Sequence, residues 1–87
     1  MSNTHYRVFY SEEAIGFLHR KTKVNQRKII DISHMIAQAP TQLSDHQTQD
    51  LKGRILEHVH KDKYFFVYWI DQAAKEVHVL NIDQSQS

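Results

Sequence analysis

His58 and His60 are the side chains of this chain whose type and spacing best suit proton transfer. They stand two residues apart in the alternating run Ile55 to His60, so a strand there presents both imidazoles on one face, with Glu57 on the other. Imidazole titrates near neutral pH and can act as base or acid. Four cations, Lys52, Arg54, Lys61 and Lys63, lie around this segment and are of the kind that holds phosphate. Each of these charged side chains also reads as an ordinary solvated surface position. His78 belongs to a later strand pattern of the same sheet. Imidazole is a common zinc ligand, yet the spacing of His58, His60 and His78 fits no closed structural site. No metal or other cofactor is therefore expected. The remaining histidines, His5, His19, His34 and His46, are scattered and form no pattern.

The chain that must position these groups has 87 residues, enough for one hydrophobic core and no more. It is 40% hydrophobic and 24% charged, as a globular domain is. There is no cysteine, which excludes disulfides, thiolate metal sites and a cysteine nucleophile. A small secreted domain is usually rich in disulfides, so a cytoplasmic location is expected. Met1 to His5 is polar and does not read as a signal peptide. No apolar run approaches the roughly 18–20 residues that span a bilayer. The net charge is +1 but unevenly spread. Residues 1–30 carry six cations against two acidic residues, hence +4, and residues 31–50 carry three aspartates and no lysine or arginine. The basic segment reads either as a face for nucleic acid or an acidic partner, or as a solvated helix face.

Periodicity supplies the elements. Tyr6 to Tyr10 reads as a short strand. Ser11 is a good N-cap, and Glu12 and Glu13 suit the first turn of a helix whose apolar stripe is Ala14, Phe17 and Leu18. Thr22 and Lys23 link it to a second, longer helix, Val24 to Ala39, with Ile29, Ile32, Met35, Ile36 and Ala39 on one side. Met35 reads as core filler. Pro40 ends that helix. Thr41 to Asp50 is polar and reads as a loop. Ile55 to His60 is a strand. Tyr64 to Ile70 is apolar on both faces, the mark of a central strand. There Tyr64, Tyr68 and Trp69 read as packing residues, or else as stacking platforms for bases. Glu76 to Ile82 is the last strand, and residues 83–87 form a frayed polar tail. The result is a single α+β domain over residues 1–87, in the order β-α-α-β-β-β. A helical hairpin packs on one face of a small antiparallel sheet whose last three strands form a meander. There are no repeats and no interdomain linker. No nucleotide-binding loop or nucleophile elbow is present.

That order resembles the RelE/ParE superfamily, the toxins of bacterial type II toxin–antitoxin systems. Local pieces match as well: Tyr6–Tyr10 with Ser11 and the acidic turn, Ala39-Pro40, Leu51-Lys52-Gly53 before the second long strand, Asp62-Lys63-Tyr64 and Tyr68-Trp69-Ile70-Asp71, and Val77–Ile82. The resemblance covers about residues 5–83. It implies a toxin held inactive by a cognate antitoxin, a small protein that presents an amphipathic helix. RelE-like members cut mRNA at the ribosome, whereas ParE-like members inhibit DNA gyrase. On the RelE-like reading the candidate catalytic residues are His58, His60 and Arg54, with Lys52, Lys61 and Lys63 on the RNA phosphates. The chain departs from that pattern twice. Phe65 stands where the family has an arginine, and Asn81-Ile82-Asp83-Gln84-Ser85 carries no cation. The alternative is therefore a non-enzymatic, gyrase-binding or catalytically silent relative. A homodimer is compatible with either reading.

Overall fold

The computed structural model describes residues 5–85. The polar lead Met1–Thr4 and the last two residues of the expected tail lie outside the described residues. β1 (Arg7–Tyr10) passes through Ser11 into α1 (Glu12–His19), and α2 (Lys23–Gln38) follows. Then come β2 (His46–Gln49), β3 (Ile55–Lys61), β4 (Tyr64–Asp71) and β5 (Glu76–Gln84). The strands form one sheet in the order β1-β5-β4-β3-β2, and the helical hairpin covers one of its faces. β3, β4 and β5 make the expected antiparallel meander, with β4 in the middle of the sheet. β1, which precedes the helices, lies at the sheet edge beside β5 and pairs parallel to it, so the sheet is mixed rather than wholly antiparallel.

Local chemistry sets the helix ends. The Ser11 hydroxyl accepts the Ala14 N–H at 3.1 Å and donates to the Leu80 carbonyl at 2.6 Å, so the N-cap also ties α1 to β5. Thr22 caps α2 through the Asn25 N–H at 3.3 Å. α2 ends before Pro40, whose carbonyl accepts the buried Tyr68 hydroxyl. The core joins Ala14 of α1 and Ile29, Ile32 and Ile36 of α2 to the inner face of the sheet. That face supplies Val59, Tyr64, Phe66, Tyr68, Val77, Val79 and Ile82.

Three expectations change. Thr41 to Asp50 is not all loop, because His46–Gln49 pairs antiparallel with β3 as an edge strand. All four of its residues are exposed, so no apolar alternation marks them. Backbone pairing and Asp45 hold the strand: the Asp45 N–H reaches the His58 carbonyl at 2.7 Å, and its carboxylate accepts the His60 N–H at 2.7 Å. Asp83 and Gln84 are not frayed but extend β5 against Phe65 and Tyr64. The Ser85 N–H adds a bond to the Lys63 carbonyl at 2.8 Å. Met35 is 40% exposed rather than core. At about 100° per residue it sits well around the helix from Ile36, and Ser33 and Ala37 take the buried positions instead.

Ile36 is fully buried between the hairpin and the sheet. Ile36→Ala should lower the unfolding free energy by about 2–4 kcal/mol. Urea denaturation followed by circular dichroism reads this directly. A loss below about 0.5 kcal/mol, the range of surface substitutions, would contradict the packing described.

Candidate functional site

Successive residues of a strand point to opposite faces, so the side chains that alternate with the core form a second surface, which the helices leave open. His58 and His60 stand on it, as do Phe65, Val67 and Trp69 of β4, His78 of β5, Phe9 of β1, and His46 and Thr48 of β2. The strand register sets rings directly opposite one another: Phe9 against His78, His78 against Trp69, His46 against His58, and His60 against Phe65. Cross-strand neighbours at such positions pack closely, and all four pairs stack. Centroid separations are 5.3 Å for Phe9–His78, 4.4 Å for Trp69–His78, 4.3 Å for His46–His58 and 4.1 Å for His60–Phe65.

Two rows result. In the first, Phe9, His78 and Trp69 run across three strands, with the Arg7 guanidinium 5.6 Å from the Phe9 centroid and that of Arg54 5.0 Å from the Trp69 centroid. Glu76 ties the row down, one oxygen 2.8 Å from Arg7 Nη2 and the other 2.9 Å from His78 Nε2. Asp71, Glu76 and His78 bring potential metal-ligand atoms within 4.8 Å of one another. Both Glu76 oxygens are already engaged there, and Asp71 Oδ1 accepts the Ala74 N–H at 3.0 Å, so contacts within the protein account for the cluster. The second row holds the imidazoles of His46, His58 and His60, which line a depression of about 230 Å³ together with Asp45, Phe65 and Val67.

His58 Nε2 lies 2.8 Å from the Thr48 hydroxyl. Partial burial lowers its pKa below the ordinary imidazole value, His46 beside it lowers it further, and Glu57 opposes both. Arg54 is held by Asp50, whose Oδ2 accepts its Nε–H at 2.9 Å, while Oδ1 accepts the Lys52 and Arg54 amides at 2.9 and 2.8 Å. The Arg54 hydrogen bond, with the two amide bonds, depresses the Asp50 carboxyl against a smaller opposing effect of burial. Gly53 closes this turn in the left-handed region at φ 85°, which a side chain would strain.

Of the residues singled out from sequence, His58 and His60 do share a face. Arg54 shares it too, but four residues from His58, hence about 13 Å along the strand. Lys52 sits on the exposed β2–β3 turn. Lys61 lines a separate depression beside Lys28, Asp31 and Ile32 of α2. The Lys63 ammonium lies 5.8 Å from the Tyr64 ring centroid. Tyr64 and Tyr68 are core residues, while Trp69 is on the open face. β4 lies between His58 and His78, which oppose Val67 and Trp69, so these two are about 12 Å apart and do not converge with His60 on a metal. His46 was missed, because only the edge strand that periodicity cannot see brings it to His58.

A scan against protein-family models finds no match, and no curated protein sequence matches the chain. Solved structures do. The chain is similar to one in the RelBE2 toxin–antitoxin complex of Mycobacterium tuberculosis, with TM-score 0.82, 15% identity and coverage of 95% of this chain and 94% of that one. It is similar to one in the archaeal RelE–RelB complex of Pyrococcus horikoshii OT3, with TM-score 0.72, 16% identity and coverage of 92% and 94%. The isolated RelE toxin of E. coli aligns at TM-score 0.73 and 10% identity over 94% and 86%. The chain has the RelE-like toxin fold, as its β-α-α order and meander led one to expect.

The lowered pKa of His58 has a definite sign. The fold favours the neutral imidazole, so His58 contributes stability above the unfolded value of 6.5 and loses it as pH falls through the lower folded value. A proton NMR titration should give a His58 midpoint below 6.5, and His46→Ala should move that midpoint upward. An unchanged midpoint in the variant would show that the stacked neighbour exerts no field on His58.

Proposed function

We propose that this chain is the toxin of a toxin–antitoxin pair and that it blocks translation by cleaving mRNA at the ribosome. One observation carries the reading. Over nearly the whole chain the fold matches RelE toxins, and the sheet face free of helices bears three imidazoles around one depression. The solved relatives include toxins held in complexes with antitoxins, which supports a small cognate antitoxin as partner here.

His58, kept largely neutral at pH 7, is placed to take the proton of a ribose 2′-hydroxyl. The 2′-oxygen then attacks phosphorus, and the bond to the 5′-oxygen breaks. His60 in its protonated form gives that oxygen its proton, leaving a 2′,3′-cyclic phosphate and a 5′-hydroxyl. His46, beside His58, supplies positive charge near the scissile phosphate when protonated. Arg54, some 13 Å along the strand direction, and Lys52, on the turn before it, suit a flanking phosphate of an extended strand. Lys63, on the β3–β4 turn, suits the opposite flank, whereas Lys61 turns toward α2 and away from this face.

A second reading has its own observation. Phe65 covers His60, and Asp83 pairs directly opposite Phe65. An apolar ring and a carboxylate thus stand where the resemblance implies cations. This favours a protein that binds its target, DNA gyrase among the possibilities, without cutting RNA.

Tightly controlled expression, with transcript ends mapped on ribosome-bound mRNA, separates the two. Growth arrest with cuts inside translated codons is expected. His58→Ala and His60→Ala should each reduce cutting by about 10²–10⁴-fold. Arrest without cuts would replace cleavage by the binding reading, and normal growth would remove the toxin assignment.

A further inference from the structure

Glu57 is 5% exposed and makes no salt bridge among the described residues. Its only side-chain partner there is Gln47, whose single Nε2 is shared between the two carboxylate oxygens at 3.2 and 2.9 Å. A carboxylate can accept about four hydrogen bonds, so much of its capacity is unused in a place where burial makes that costly. The side chain lines a groove of about 450 Å³ beside Thr41, Gln47, Ile55, Ile70 and Gln72, with the open-face residue Trp69 also on its wall. Arg54 reaches the rim of this groove, but its charge is matched by Asp50. Ile55 leaves 47% of its surface exposed at the mouth.

An aliphatic wall leading to an acceptor-rich carboxylate is the shape of an arginine side chain, whose stem packs on apolar surface and whose fork matches a carboxylate with two parallel hydrogen bonds. We propose that this groove is an interaction site for a partner protein, which inserts an arginine flanked by apolar residues onto Glu57. The site uses none of the open-face histidines and stands whether or not the chain cuts RNA.

The test titrates the ¹⁵N-labelled full chain with a blocked pentapeptide carrying one arginine between leucines, followed by amide NMR. The expected result is saturable binding, with shifts at Ile55, Glu57, Ile70 and the Gln47 side-chain amide. Replacing the peptide arginine by glutamine, or Glu57→Gln in the protein, should weaken binding at least about ten-fold. Absent binding, equal affinity for the two peptides, or shifts centred elsewhere would overturn the proposal. Equal affinity for free butylguanidinium would overturn the partner assignment by reducing the groove to a small-cation site. Should Glu57→Gln lose its dispersed spectrum, Gln47→Ala decides the matter. It removes the competing donor and keeps the carboxylate, so tighter binding supports the site and weaker binding overturns it.

Discussion

The two faces of β4 carry different duties, and the rest of the molecule is arranged around keeping them apart. Tyr64, Phe66 and Tyr68 have no exposed surface and anchor the core under the helices, while Phe65, Val67 and Trp69 face the open side. A slip of one residue in register would exchange these sets and put every stacked ring of the open face into the core. Register is pinned from both neighbours. Five residues of β3 and eight of β4 have assigned partners across the two ladders, so the strand cannot slide without losing its hydrogen bonds along its whole length.

On β5 the alternation is interrupted on purpose. Val77 and Val79 are buried, and so is Ile82, which breaks a strict period of two. A bulge explains it. Tyr68 pairs with Val79 and Val67 with Asn81, leaving Leu80 as the extra residue. Before the bulge His78 meets Trp69 on the open face, and after it Asn81 and Asp83 occupy that face while Ile82 turns inward. The Leu80 carbonyl accepts the Ser11 hydroxyl, so the cap of α1 and the bulge of β5 lock each other. One serine thereby positions the first helix against the strand that lies between β1 and β4.

Periodicity made visible those elements that bury something. Both helices, β1 and the three long strands each pay out an apolar stripe or an alternation, and Ser11 and Pro40 mark ends by chemistry that holds in any context. β2 buries nothing and is written His-Gln-Thr-Gln, a composition equally suited to a loop. Its existence depends on a free edge of β3 and on Asp45 bonding across to His60, contacts between residues 15 apart that no local pattern encodes. The candidate site inherits the same limit. His58 and His60 follow from alternation, whereas His46 and Thr48 reach His58 only through that edge strand. The position of Phe65 was plain, but its stacking on His60 needed the β3–β4 register.

The charge of the open face follows from how its permanent cations are spent. Arg7 is engaged by Glu76 and Arg54 by Asp50. The basic residues that made the first third of the chain +4 are carried mainly on the helical hairpin: Arg20 and Lys21 at the end of α1, and Lys23, Arg27 and Lys28 along α2. They belong to the layer on the other side of the sheet, and one of them, Arg27, is paired with Asp31 within its own helix. What remains on the open face to meet an anion is chiefly imidazole. Imidazole charge is set by pH and by neighbours, and burial together with His46 holds the His58 pKa down. A polyanion approaching this face therefore meets a surface whose attraction grows as protons are taken up. The same surroundings favour the neutral form of His58. Both properties come from one register: the pairing of His46 with His58 across β2 and β3.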